Sequence, residues 1–231
     1  MVNDFEHILD DLGELYHEYS FFGIRNKQLP GIFRPNQLAK APVITSYIAQ
    51  AIAACKDGTD TKVTFVELFC ADAYYAMVAR RLGATECLAI DNNRDGYFPN
   101  AQKIASRLGI DSINFLNADV DSIDTLPSVD IVANVGGLYH VSNPKEILTK
   151  SYALASRFLI VQSVVSLTTD SDSYFESPAP GWTWGSRLSK NSFDRMIREL
   201  RYKVIHSHFN ELKGNERAED RGSIYYLIEK D

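Results

Sequence analysis

From Val63 onward, short apolar runs alternate with longer stretches whose apolar residues return every three or four positions. That order predicts parallel strands joined by covering helices. The strands read from it are Val63–Leu68, Cys87–Ile90, Ile113–Leu116, Asp130–Asn134 and Phe158–Val165. The intervening helices fall near Tyr74–Leu82, Asn100–Leu108 and Pro144–Ser156. A polar and aromatic loop, Thr168 to Ser189, precedes a helix near Ser192–Leu200. Tyr202–His208 and Ser223–Glu229 then read as two strands with no helix between them, an antiparallel hairpin at one sheet edge. The expected fold is α/β, with a seven-stranded, mostly parallel sheet.

Ahead of the sheet, apolar residues at Phe5, Ile8, Leu9, Leu12, Leu15, Tyr16 and Tyr19 have helical spacing and predict a helix over Asp4–Phe22. Gly31–Asn36 reads as a turn, and Gln37–Cys55 as a second helix rich in Ala and Ile. The polar run Lys56–Thr61 is a natural boundary. Residues 1–60 are therefore expected to form an N-terminal helical cap, and 61–231 the sheet domain.

The 231-residue length suits one such domain with a modest addition. No apolar run reaches membrane-spanning length, and Met1–Glu6 is acidic where a secretory signal is basic. Cys55, Cys70 and Cys87 are an odd number without metal spacing, which reads as reduced thiols. A cytoplasmic location without membrane contact is the expectation. The net charge of −6 argues against a nucleic-acid partner without excluding one, and a homo-oligomer stays open. The locally basic stretch Arg187–Lys203 reads as a solvated helix face.

The strand–turn–helix unit Val63–Ala76 closes its strand on Glu67, and Leu88–Asp91 is a second strand ending in an acid. Two successive strands ending in carboxylates point to a bound nucleoside, because a carboxylate accepts both hydroxyls of a ribose and repels phosphate. Farther on, Asn134-Val-Gly-Gly-Leu-Tyr-His follows a strand with two glycines, which places Tyr139 and His140 at a pocket mouth. His140 is the general-base candidate. A backbone-bonded histidine at a helix entry is the alternative. The long loop carries Trp182, Trp184 and Arg187, suited to stacking on an acceptor and pairing with an acid. His206 and His208 share a strand face, but no carboxylate pair joins them, and no metal is expected.

The run from Glu67 to Ala73 resembles the first motif of the class I S-adenosylmethionine-dependent methyltransferases, an acid followed by three alternating glycines. The glycine positions hold Phe69, Ala71 and Ala73 here. The resemblance implies a Rossmann-like methyltransferase sheet binding S-adenosylmethionine. It assigns Asp91 to the ribose, and Asp119 and Val120 to the adenine. Glu67, Asn92 and Asn134 join that cofactor set.

The Gly-x-Leu-Tyr-His-x-x-x-Pro pattern also resembles bacterial tRNA wobble-uridine enzymes that use a carboxylated cofactor, and their small-molecule relatives. It implies that Tyr139 and Arg221 hold the carboxylate substituent. The expected function is methyl transfer to a small acceptor, with a hydroxyl as the favoured atom. Modification of a tRNA base is one alternative. A non-catalytic binding protein is the other, and it would follow if Phe69 filled the cofactor cavity.

Overall fold

The computed structural model describes residues 4–56 and 62–230. The expected boundary at residue 60 lies outside the described residues. Among those described, β1 (Thr64–Leu68), α2 (Tyr74–Leu82), β2 (Glu86–Asp91), α3 (Pro99–Arg107), β3 (Ile113–Asn117), β4 (Val129–Val135), α4 (Pro144–Leu154) and β5 (Ala155–Val165) alternate as the periodicity predicts. A two-stranded ribbon inside the long loop, β6 (Phe175–Glu176) and β7 (Arg187–Leu188), precedes α5 (Lys190–Glu199). The chain closes with β8 (Lys203–Glu211) and β9 (Gly222–Glu229).

The seven-stranded sheet runs β3-β2-β1-β4-β5-β9-β8. β9 is antiparallel to both β5 and β8, and the β1 to β5 pairings are all parallel. Strand order reverses at β1, which pairs with β2 on one side and β4 on the other. Ligands of open α/β sheets bind outside the carboxyl ends of the strands at such a switch point. The expected sheet and edge hairpin are therefore present.

Strand residues alternate between the two faces. Phe65, Ala89, Ile131 and Ile160 enter a core shared with α2 and α3, while Val66, Ile90, Val132 and Leu159 pack on α4 and α5.

The N-terminal region departs from expectation. Residues 4–22 form three short 3-10 turns, Asp4–His7, Asp10–Leu12 and Ser20–Phe22, and not one helix. Gly13 and Gly23 end two of them with positive φ, so the backbone reverses before a helical ladder can propagate. The long helix α1 (Phe33–Lys56) starts four residues before the expected Gln37 and takes in all but Gly31 and Ile32 of the segment read as a turn. Pro35 sits in its first turn, where a missing N–H costs nothing.

By length and composition α1 is apolar enough to cross a membrane. Its inward stripe (Ile44, Tyr47, Ile48, Ala51, Ile52) instead joins Phe65, Met77 and Tyr225 in one core. Leu9, Leu15 and Tyr19 belong to that core as well. The N-terminal segment is thus a wall of the sheet domain in packing terms.

Candidate active site

The loop after β1 carries the first motif. Phe69, Ala71 and Ala73 have φ of 58°, 47° and 63°, so all three glycine positions keep a glycine backbone without the glycine. A left-handed L-residue costs about 1–2 kcal/mol, and the surroundings must hold this loop in shape. One such support is Gly137, after β4. A Cβ there would fall 1.8 Å from the Phe69 ring, so the ring occupies the space a side chain would take. Phe69 therefore lines the crevice and leaves it open.

That crevice is a cavity of about 720 Å³ lined by Phe69, Ala71, Asp91, Asn92, Asp119 and Val120 on one side and by Gly136 and His140 on the other. The Asp91 carboxylate accepts from the Ala71 amide (3.0 Å) and the Asn93 amide (2.7 Å), one on each oxygen. Burial pushes its pKa up, and those amides pull the other way. Each oxygen keeps a free lone pair for a diol. Asn92 Nδ2 donates to Asp119 Oδ2 (3.1 Å), and Asp119 Oδ1 accepts from the Asp121 amide, so the next polar groups are tied together along the rim. A fixed carboxylate beside apolar Val120 and a flat Phe69 fits an adenosine.

A second cavity, of about 810 Å³, adjoins the first. Tyr16, Asp95, Tyr97, His140 and Trp184 line both. His140 stands at the junction, its ring stacked on Trp184 (centroids 5.1 Å apart, planes at 14°). Burial, then the positive charges of Arg187, Lys40 and Arg94, push its pKa down to about 4, so it is neutral at pH 7.

No family model and no curated protein matches the sequence. Solved structures do match the fold. Magnesium protoporphyrin IX methyltransferase from Synechocystis PCC 6803, with bound SAH (S-adenosylhomocysteine), superposes with a TM-score of 0.65 at 12% identity, over 98% of both chains. The N-terminal domain of EvdMO1 with SAH bound gives 0.63 at 16% identity, over 99% of this chain and 96% of that one. The [4+2]-cyclase SpnF gives 0.61 at 15% identity, over 82% and 80%. The chain has the class I methyltransferase fold.

Within that methyltransferase fold the expected residues separate into two groups. Phe69, Ala71, Asp91, Asn92, Asp119, Val120 and His140 line the first cavity. Tyr139, His140, Trp182, Trp184 and Arg187 line the second.

Four expected residues line neither cavity, and one of those placed there, Arg187, has other work. Glu67, 1% exposed, lies beneath α2, where its Oε2 accepts from the Ala76 amide at 2.7 Å. Burial holds its pKa well above the usual carboxylate range. It caps the N-terminus of α2 and lines neither cavity. Ala73 is fully buried at the start of α2. Asn134 is also buried; its Nδ2 donates to Ser151 Oγ (2.9 Å) and ties β4 to α4. Arg221 faces Glu211 across the hairpin, 3.4 Å away, and holds no ligand group in either cavity.

Arg187, expected to await a substrate acid, already pairs with Asp220 (2.6 Å) and donates to the Tyr139 carbonyl (3.1 Å). It braces the loop against the Tyr139–His140 turn. Gly185 permits that contact, because a Cβ there would come within 2.4 Å of the Tyr139 oxygen. The Tyr139 phenol is pushed up to about 12 by burial.

Tyr16, His17, Gln37 and Lys40 also line the second cavity, and none of them was expected there. They come from the segment read as a cap. The one local signal was a lysine on the inward stripe of α1, with Phe33, Asn36 and Gln37 one and two turns before it.

Proposed function

We propose that this protein is an S-adenosylmethionine-dependent methyltransferase acting on a small molecule. The observation that carries the reading is the pair of adjoining cavities. One is lined by an adenosine-type set, Asp91, Asn92, Asp119 and Val120, and the other by aromatic residues, with His140 and Trp184 common to both.

When bound, S-adenosylmethionine supplies an electrophilic methyl group. Asp91 would hold the ribose hydroxyls, Asn92 and Asp119 the adenine edge, and Phe69 and Val120 the ring faces. Trp184, stacked on His140 and crossed by the Arg94 guanidinium at 4.4 Å, walls the junction against water. Alignment of donor and acceptor supplies much of the rate in such a transfer.

Two imidazoles line the acceptor cavity as proton acceptors for a hydroxyl. His140 is neutral but weakly basic. His17 is the better-oriented one, because Asp72 Oδ1 engages its Nδ1 at 2.5 Å and leaves Nε2 as the ring's other nitrogen.

The tRNA alternative has less support. Within its basic stretch Lys190, Arg195 and Lys203 pair with Asp194, Glu199 and Glu229, and Arg187 is buried against Asp220. A phosphate-tracking groove needs such cations unpaired.

Calorimetric titration with S-adenosylmethionine and S-adenosylhomocysteine tests the reading. Micromolar binding of both, abolished in Asp91→Ala, is expected. A folded protein that binds neither would overturn it. A protein that binds both, yet transfers no methyl group to any acceptor, would favour another chemistry on the same fold.

A further inference from the structure

Helix α1 turns Phe33, Asn36, Gln37 and Lys40 toward the second cavity, and Ile44, Tyr47 and Ile48 continue the same stripe into the core. The spacing is i, i+3, i+4, i+7, so one face of the helix serves both purposes. Along that stripe Lys40 is the cation, placed where the cavity gives way to packed side chains. It is half-buried. Burial alone acts on its ammonium, and no carboxylate of the described residues offsets it. An ammonium removed from water without a counter-ion is costly, so inward-facing lysines are usually paired.

The rest of the cavity says what the missing partner is. Its walls are aromatic, with Tyr97, Tyr139, Trp182 and Trp184 around a space of about 810 Å³, suited to a flat molecule of drug-like size. Lys40 shares this lining with His140, which also lines the first cavity. Asp95 and Glu216 also line the space and would repel a multiply charged anion, while Asp220 is engaged by Arg187 and Arg217, which line it too. Among the described lining residues Lys40 is the cation without an acid partner, since Arg187 and Arg217 pair with Asp220, and one such cation among aromatic walls matches one negative charge on an aromatic frame.

We propose that the second cavity takes a planar aromatic molecule bearing one carboxylate, and that Lys40 binds that carboxylate. Calling this molecule the methyl acceptor rests on the reading given above; the carboxylate site itself does not.

The test uses ligand-observed NMR on the full chain at pH 7 with three matched pairs: benzoate and benzamide, 2-naphthoate and 2-naphthamide, indole-3-carboxylate and indole-3-carboxamide. In at least one pair the carboxylate is expected to bind about tenfold tighter than its amide, the lower end for a charge-assisted hydrogen bond. That preference should vanish in Lys40→Met and survive in Lys40→Arg. No preference in any pair, or a preference that persists in Lys40→Met, overturns the proposal. The pairs are run with and without S-adenosylhomocysteine, whose binding is titrated separately on the wild type and on Lys40→Met. Failure of S-adenosylhomocysteine to bind would remove the methyl-transfer reading while the carboxylate preference is still measured.

Discussion

His17 and Asp72 are joined twice: the His17 amide donates to Asp72 Oδ2 at 3.0 Å, and the His17 ring meets Asp72 Oδ1 at 2.5 Å. The Tyr19 hydroxyl adds a third bond, to the Asp72 carbonyl at 3.1 Å. Asp72 lies between Ala71 and Ala73, the two left-handed alanines of the cofactor loop. The N-terminal segment thus clamps the loop that sequence alone would leave strained.

Breaking the clamp should cost both stability and ligand affinity. His17→Ala leaves the Asp72 carboxylate buried without its ring partner, a loss of about 3 kcal/mol by analogy with broken buried pairs. Urea unfolding should show a lower midpoint, and S-adenosylhomocysteine should bind more weakly as the loop relaxes. An unchanged midpoint would show that the contact is not a structural support.

Ala71 has φ of 47° and is half-buried, so Ala71→Gly removes strain without opening a large void. The relieved strain of about 1–2 kcal/mol exceeds the added chain entropy of about 0.5–1 kcal/mol. A rise in melting temperature is expected, and a fall would mean that the loop is not strained at this position.

Phe69 and Gly137 should be coupled. Gly137→Ala drives a methyl group into the Phe69 ring and should destabilise by about 1–3 kcal/mol, as overpacking does. In the Phe69→Gly background the same change should cost much less. A double-mutant cycle by chemical denaturation measures the difference, and additive effects would refute the contact.

His140 should give the fold an acid-sensitive limb. Its folded pKa of about 4 lies below the ordinary 6.5, so the folded state disfavours its proton. The stability it contributes is complete above pH 6.5 and is lost as pH falls through 4. His140→Gln should flatten the dependence of the urea midpoint on pH in that window. An equally steep profile in the variant would place the limb on another group.

Aromatic-carboxylate binding should weaken in alkali. Burial pushes the Lys40 pKa down to about 8. Below that value the ammonium is charged and binding is complete. Between that value and the higher pKa of the ligand-bound state, affinity should fall about tenfold per pH unit, and it should level off beyond. Sharing the cavity with Lys40 are His140, already neutral, Tyr139, held at about 12, and Arg187, Arg217, Asp95, Glu216 and Asp220. In Lys40→Arg the fall should disappear between pH 7 and 10.

Much of the sheet was legible from local pattern. Each strand–helix alternation places its apolar residues at period two or near 3.6, and that alone predicts β1 to β5 in parallel and the β8–β9 hairpin. Asp91 and Asp119 were legible too, since acids directly after parallel strands lie at the carboxyl edge where ligands bind. The placement of Glu67 was not legible: it shares the face of Phe65, which packs toward α2, so its carboxylate accepts from the Ala76 amide and lines neither cavity. Residues 4–22 misled because helical spacing of apolar residues is also met by successive turns wrapped on a core.

By itself the sequence determined the order of elements, the inward face of each strand and the acids at the carboxyl edge, because these depend on neighbours a few residues apart. Only the tertiary structure decided that the N-terminal segment and α1 wall the second cavity, that His17 holds Asp72 across 55 positions, and that Lys40 lines that cavity. Those relations arise where separately folded elements bury their faces on one another, and no local periodicity encodes which faces meet.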